Sequence, residues 1–324
     1  MFLGVDGGGT KTAFCLIDAH GTVLAEARTA SIYYLMQGIG IVEPLLRQGI
    51  DEVCATAGVS PGRLSYAFFG IPCYGEISAD VPVLDALPAR ILGPVGYACG
   101  NDMICGWAAS LGGADGINVV AGTGSIAYGE NRGRRWRGGG WSELFGDEGS
   151  GYWVAVKGLA AFSRMSDGRQ PAGVLADEMR VELGLATDLD VIDVVVNRWH
   201  GDRGKIAGLS KVVTRAADAG DPRAVEILRE AARELALHVD VGAGALGFGA
   251  DETVPVSYSG GMFGVPHVLD AFREALASSP HGYDLREPLL PPHVGAAVYA
   301  ARLSGHPVHP RPGSRPAPDL ERLT

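Results

Sequence analysis

Asp6-Gly7-Gly8-Gly9-Thr10-Lys11, near the start of the 324-residue chain, combines one carboxylate, three consecutive glycines and a Thr-Lys edge. Glycines let backbone N–H groups approach a bulky anion closely, and Thr10, Lys11 and Thr12 add hydroxyl and ammonium donors, so the stretch is a candidate phosphate cradle. The Asp6 carboxylate would repel a bare phosphate and makes better sense as a ligand, through water, to a Mg²⁺ ion riding on one. Read locally, the same residues also make an ordinary glycine-rich hairpin turn. A second small-residue turn, Gly122-Thr123-Gly124-Ser125, stands about a hundred residues later. Between the two, Asp102 follows a strand end and precedes a helix, which puts its carboxylate at the C-terminal edge of a sheet, where ligands of α/β sheets bind. The structural alternative is that Asp102 or Asn101 caps the helix beginning at Met103, a contribution of about 1 kcal/mol. In Gly146-Asp147-Glu148-Gly149-Ser150-Gly151 an acidic pair sits among small residues, suited to accepting hydrogen bonds from vicinal sugar hydroxyls, or to capping the apolar helix that follows.

The elements that must position these groups are legible from periodicity. Short apolar runs on either side of the first glycine turn predict a strand, a tight hairpin and a second strand, and Thr22 to Ala27 predicts a third. Gly38 to Ala57 carries helix-spaced apolar residues at Ile41, Leu45, Leu46, Ile50 and Val53. A short apolar run over Leu64–Phe69, a helix over Val83–Leu87 followed by Ile91-Leu92, and a helix over Met103–Leu111 complete an α/β domain with a mixed sheet. The pattern then restarts: Ile117–Ala121 is a strand, Gly122–Ser125 the turn, and Ile126–Gly129 a returning strand, with the basic run Arg132–Arg137 read as a solvated hairpin tip. Two lobes on one plan are expected, each offering a backbone-lined turn. From Asp147 to about Leu246 the chain reads as helical, with Asp221-Pro222 opening the longest helix. A strand over Val254–Ser259 ends in Gly260-Gly261, a helix runs from about Val265 to Leu276, and a last helix spans His293–Leu303. The segment 307–324, rich in proline, is expected to be a disordered tail.

Composition narrows the partners. Lys and Arg number 27 against 37 Asp and Glu, a net charge of −10, which disfavours sequence-blind binding to nucleic acid or to anionic membranes. Any anionic ligand must then be held by a local site. The chain enters its first strand without a basic, apolar leader, and no uncharged run of 18 apolar residues occurs, so the expected compartment is the cytoplasm. Five cysteines at unrelated spacings, without a C-x-x-C pair, argue for buried, reduced thiols rather than a disulfide framework or zinc site.

Five motifs in one order and spacing, Asp6–Lys11, Gly122–Ser125, Gly139-Gly140-Trp141, Gly146–Trp153 and Ser259-Gly260-Gly261, resemble the BadF/BadG/BcrA/BcrD ATPase family. Within it they resemble the N-acetylglucosamine kinase branch, in the actin/hexokinase/Hsp70 superfamily, over residues 2–303. The resemblance implies an α/β, actin-like fold of two ribonuclease-H-like lobes with ATP and Mg²⁺ in the cleft between them. The expected lobes are residues 1–114, with helix 293–303 packing back on them, and 115–292 with a helical insertion. It further implies that Gly8, Gly9, Thr10, Lys11, Thr123, Gly124 and Ser125 hold the phosphates, that Gly260 and Gly261 lie against adenosine, and that Asp102 is the general base. Gly140, Trp141 and Asp147 are the implied sugar contacts, although Trp141 also reads as a core aromatic. The chain departs from the kinases in one place. Where they carry a Ser-Asn or Thr-Asn pair after the third strand, this sequence has Ala30-Ser31-Ile32-Tyr33-Tyr34-Leu35, with Tyr33 in the position of the asparagine. Tyr33 either lines the sugar pocket or packs on the lobe surface.

The function these readings favour is ATP-dependent phosphorylation of an amino sugar, N-acetylglucosamine to its 6-phosphate first and glucosamine as rival. A different class, an ATPase that activates a redox partner as the CoA-reductase relatives do, would need a cysteine arrangement that Cys99 and Cys105 do not supply. The expected assembly is a homodimer.

Overall fold

The computed structural model describes residues 1–308; from residue 309 on, the expectation for the Pro-rich tail lies outside the described residues. The chain divides into two compact units, Met1–Asp115 with the chain from Glu287, and Gly116–Arg286.

In the first unit Phe2–Gly7 (β1) and Lys11–Ile17 (β2) form the opening hairpin, closed by the Gly8 N–H donating to the Lys11 carbonyl at 2.9 Å. Val23–Ala30 (β3) extends it antiparallel, while Tyr66–Ile71 (β4) and Gly96–Asn101 (β5) add parallel strands beyond β1, giving the order β3-β2-β1-β4-β5. Parallel neighbours require crossovers. Val42–Thr56 (α1) and Val81–Leu92 (α2) supply them. Val42, Leu46, Ile50 and Val53 of α1 recur at helical spacing and are buried in one core with Leu3, Val5, Phe14 and Phe69. Met103–Leu111 (α3) leaves the end of β5.

The second unit repeats this plan. Gly116–Ala121 (β6), Ser125–Asn131 (β7) and Arg134–Gly139 (β8) are antiparallel neighbours, and Thr253–Ser259 (β9) and Gly282–Arg286 (β10) run parallel beyond β6, in the order β10-β9-β6-β7-β8. Between β8 and β9 stand the helices Gly151–Ser166 (α4), Val174–Leu183 (α5), Asp190–Ile192 (α6, continuing as a π turn), Arg203–Gly208 (α7), Ser210–Asp218 (α8) and Pro222–Leu246 (α9). The Asp221 side chain caps α9 by accepting from the N–H groups of Arg223 and Ala224, as a residue before a proline at the first helical turn is placed to do. Pro266–Ala277 (α10) joins β9 to β10. Pro292–Leu303 (α11) belongs to the first unit, where its backbone runs so close over β1 that a side chain on Gly4 would strike Ala296 and Ala297.

The α/β reading and the repeated strand plan hold; two local expectations do not. Ile91 and Leu92 lie inside α2, which runs past Val83–Leu87 until Gly93, at φ +63°, ends it. Of the basic run, Arg132 and Gly133 make the turn, while Arg134–Arg137 belong to β8, the outer strand of its sheet. Charge on an edge strand is a common defence against unwanted pairing, and it hid the strand from a pattern-based reading.

Candidate functional site

In the first unit the parallel strands deliver their C-terminal ends to one edge. Asp6 of β1 pairs in register with Gly70 of β4, and Gly70 with Gly100 of β5, so Asp6 and the residue just past β5, Asp102, flank the same strand end. A side chain on Gly70 would collide with Cys105 Sγ and come within 3.2 Å of Asp102 Cα; the bare glycine is what lets the first turn of α3 settle against the sheet. The Cys105 thiol, itself buried, donates to the Val5 carbonyl at 3.5 Å and shares a hydrogen bond with Asp6.

Burial raises the Asp6 carboxyl above the usual carboxylate range, against the pull of His293, Cys105 and Lys11. Burial also pushes Asp102 up to about 7, and the charge of Asp6 pushes the same way. The capping alternative goes to its neighbour: Asn101 Oδ1 accepts the Met103 N–H at 3.1 Å, and Asp102 makes no side-chain capping bond. A half-buried carboxyl that titrates near neutrality at a sheet's C-terminal edge is suited to accept a proton from a bound hydroxyl. The donor set here is oxygen, with Asp6 as one hard, half-buried carboxylate, and it fits a Mg²⁺ ion that brings water and phosphate as its other ligands.

The opening turn exposes Gly9, Thr10 and Lys11, whereas Gly8 is half-buried. Ser31 Oγ donates to the Gly8 carbonyl at 2.7 Å and in turn accepts the Tyr33 N–H at 3.0 Å, which ties the segment after β3 to the glycine turn. A side-chain hydrogen bond joins Tyr33 to Cys73, a left-handed residue (φ +62°) whose thiol also feels the charges of Glu76 and Asp102. Tyr33 therefore belongs to the surroundings of Asp102.

In the second unit the turn Gly122–Ser125 is fixed to the start of α4. The Gly151 N–H donates to the Gly122 carbonyl at 2.8 Å, the Tyr152 N–H to Thr123 at 3.2 Å, and Ser125 Oγ to the Glu148 carbonyl at 2.6 Å. Gly260, at φ +99°, brings the end of β9 against the same turn; a Cβ there would lie 2.9 Å from the Gly122 nitrogen. Asp147 adopts the left-handed region (φ +56°), is 3% exposed, and its Oδ2 accepts from Arg203 Nη2 at 2.6 Å. Burial raises the Asp147 carboxyl, while Arg203 and the Ser125 N–H oppose the shift.

Residues 3–300 match the model of the BadF/BadG/BcrA/BcrD ATPase family. The chain belongs to this family. It is 30% identical to the N-acetylmuramic acid/N-acetylglucosamine kinase of Clostridium acetobutylicum, a likeness covering 85% of this chain and 89% of that protein. It is 26% identical to the N-acetyl-D-glucosamine kinase of Dictyostelium discoideum, over 93% and 97% of the two chains. Among solved structures, a candidate N-acetylglucosamine kinase from Chromobacterium violaceum superposes with a TM-score of 0.65 at 25% identity, covering 91% of this chain and 96% of that one. The two repeated sheets are thus the actin-like ATPase fold.

Against this family background the expected site residues sort by unit. Asp6, the hairpin turn, Tyr33 and Asp102 gather at one sheet edge of the first unit, and Gly122–Ser125, Gly260, Gly261 and Asp147 gather in the second. Three of the side chains have settings that the sequence does not reveal. Ser125 is 3% exposed, and its hydroxyl donates a hydrogen bond to the Glu148 backbone carbonyl, so that side chain is engaged within the protein. Thr12 is likewise buried, donating to the Ala30 carbonyl at 3.1 Å. Trp141 is 68% exposed and is no core residue; it follows Gly140, whose carbonyl accepts from Arg137 Nη2 at 2.7 Å. The contacts of Cys105 with Val5 and of Arg203 with Asp147 join residues remote in sequence, so no local pattern signals them.

Proposed function

We propose that this chain is an ATP-dependent amino-sugar kinase that phosphorylates N-acetylglucosamine at its 6-hydroxyl. The reading is carried by Asp102, a carboxyl held up to about 7 beside the candidate metal ligand Asp6, and the names of two relatives that cover most of the chain agree with it. Phosphoryl transfer asks the protein for in-line placement, charge neutralisation and a destination for one proton. Gly8–Lys11 and Thr123–Gly124 hold the phosphates, Asp102 takes the proton of the acceptor hydroxyl, and Asp147 accepts hydrogen bonds from neighbouring sugar hydroxyls. Gly140 admits the sugar ring, Trp141 offers it an exposed aromatic face, and Gly260-Gly261 lies against adenosine. Mg²⁺, when bound through water at Asp6, supplies positive charge to the phosphates. Accordingly, Asp6→Ala should reduce activity more severely at low than at high Mg²⁺, and a loss equal at every Mg²⁺ concentration would remove the metal role.

The Tyr33 environment supports a second reading of the acceptor, glucosamine. A phenol offers one oxygen on a flat apolar ring in place of a carboxamide's donor and acceptor, and a polar contact left unmade changes relative binding by about 1–3 kcal/mol, enough to reorder similar sugars. Assays of ADP release and sugar phosphate over N-acetylglucosamine, glucosamine and N-acetylmuramic acid decide between them. Glucosamine is expected to rival N-acetylglucosamine in kcat/KM, and Tyr33→Asn to move the preference back towards N-acetylglucosamine. An unchanged ranking in the variant would show that Tyr33 does not read the sugar. ADP release that proceeds equally fast without any sugar, yielding no sugar phosphate, would overturn the kinase reading itself.

A further inference from the structure

The second unit holds a cation laid directly on the Gly122–Ser125 turn. Arg203, the first residue of α7 and 44% exposed, donates from Nη2 to Asp147 Oδ2 at 2.6 Å, and its Nε lies 3.5 Å from Glu143 Oε2. A Cβ built on Gly124 would collide with Arg203 Nη2 and lie 2.6 Å from Asp147 Oδ2. With glycine at this position the guanidinium rests over backbone rather than over a side chain. An arginine needed only to neutralise a buried aspartate has no reason to cover a glycine turn. Its planar fork carries N–H donors beyond the two that Asp147 and Glu143 engage.

We propose that Arg203 is a catalytic residue whose guanidinium meets the phosphoryl group as it passes from ATP to the sugar. The proposal rests on the kinase reading and adds the group that neutralises the moving charge. As the acceptor oxygen bonds to the γ-phosphorus, the bond from that phosphorus to the β,γ-bridging oxygen breaks, ADP leaves with the bonding pair, and the hydroxyl proton goes to Asp102. Charge spread over the three non-bridging oxygens of the moving group suits a planar, always-charged donor. Asp147 plays two parts. In the resting protein it fixes the guanidinium over the turn; once sugar hydroxyls take up its oxygens, Arg203 is released towards the phosphate, which couples phosphate activation to the presence of an acceptor.

The test uses the intact protein, N-acetylglucosamine, MgADP and aluminium fluoride as a mimic of the moving phosphoryl group. Arg203→Lys is expected to lower kcat about 30-fold, as loss of a bidentate charged contact in the transition state should. It should leave the affinities for ADP and for N-acetylglucosamine within threefold of the parent, and weaken ADP with aluminium fluoride by a factor similar to the fall in kcat. Arg203→Ala leaves Asp147 buried and unpaired; where that variant folds, added guanidinium ion should restore part of its rate, and where it does not, the lysine variant carries the test alone. A lysine variant with unaltered kcat, or one that loses ADP affinity as much as affinity for the mimic, would make Arg203 a strut for Asp147. A parent protein that phosphorylates no amino sugar would overturn the kinase reading and this proposal together, whereas an active parent with an unimpaired lysine variant would overturn only the role of Arg203.

Discussion

Asp102→Asn is expected to lower kcat by at least ~10²-fold while ATP and sugar still bind nearly as well, because removing a general base acts on the transition state and not on the ground state. The same substitution should stabilise the protein. The Asp102 carboxyl titrates near 3.8 in an ordinary setting and at about 7 in the fold, so the folded protein favours its protonated form. Well below pH 3.8 the group is neutral in both states and contributes nothing; as pH rises towards 7 the unfolded chain sheds the proton and the folded one resists. The resulting penalty is complete above about pH 7, and a shift of this size corresponds to a few kcal/mol at most, since the group is only partly enclosed. Asparagine carries no such penalty, so its thermal midpoint should exceed that of the parent by several degrees at pH 8 and by much less near pH 4. Calorimetry at the two pH values reads this directly. In the parent, kcat/KM, which reports the free protein, should climb with pH through about 7 as the carboxyl becomes able to accept a proton. A variant with kcat within threefold of the parent, or a kcat/KM flat between pH 5.5 and 8, would return Asp102 to a structural role.

How much of this site could be read from the chain follows from the range of each signal. The opening hairpin, the second glycine turn and Asp102 between strand and helix are local patterns, and local patterns survive translation into structure. Asp221 ahead of Pro222 announced the longest helix for the same reason. What could not be read depends on partners that only the fold brings together. Asn101 and Asp102 are equally good caps by type, and the choice between them is made by burial at the end of β5, which leaves Asn101 to cap and Asp102 to titrate. The Ser125 hydroxyl reads as a free donor until the chain returns at Glu148, whose backbone carbonyl accepts its hydrogen bond. Arg203 is one arginine among many in a polar stretch; nothing near it in sequence points to Asp147, 56 residues away. Strand β8 was hidden by its arginines, whose place on the outer strand depends on a sheet order that no local window contains.

Gly70→Ala is expected to lower kcat by about 10²-fold, through displacement of Asp102 by a residue that never meets the substrate. A methyl group at this position collides with Cys105 Sγ and lies 3.2 Å from both Asp102 Cα and the Val5 carbonyl. None of these can yield alone. Val5 is locked in register between β2 and β4, and the Cys105 thiol is held by the Val5 carbonyl and by Asp6. The first turn of α3 must therefore move away from the sheet, and Asp102 moves with it. Overpacking of this kind costs about 1–3 kcal/mol, so the variant should fold with a lowered thermal midpoint. The cause can be isolated with Cys105→Ala, which removes the sulfur and leaves contacts that are merely tight. Alone, that substitution should cost little activity; combined with Gly70→Ala it should recover at least tenfold in kcat and most of the lost stability, a non-additivity expected only of groups that touch. If the double variant were no better than Gly70→Ala alone, Cys105 would not be the obstacle. If Gly70→Ala lowered the thermal midpoint with kcat unaltered, the placement of Asp102 would not depend on how closely α3 approaches the end of β4.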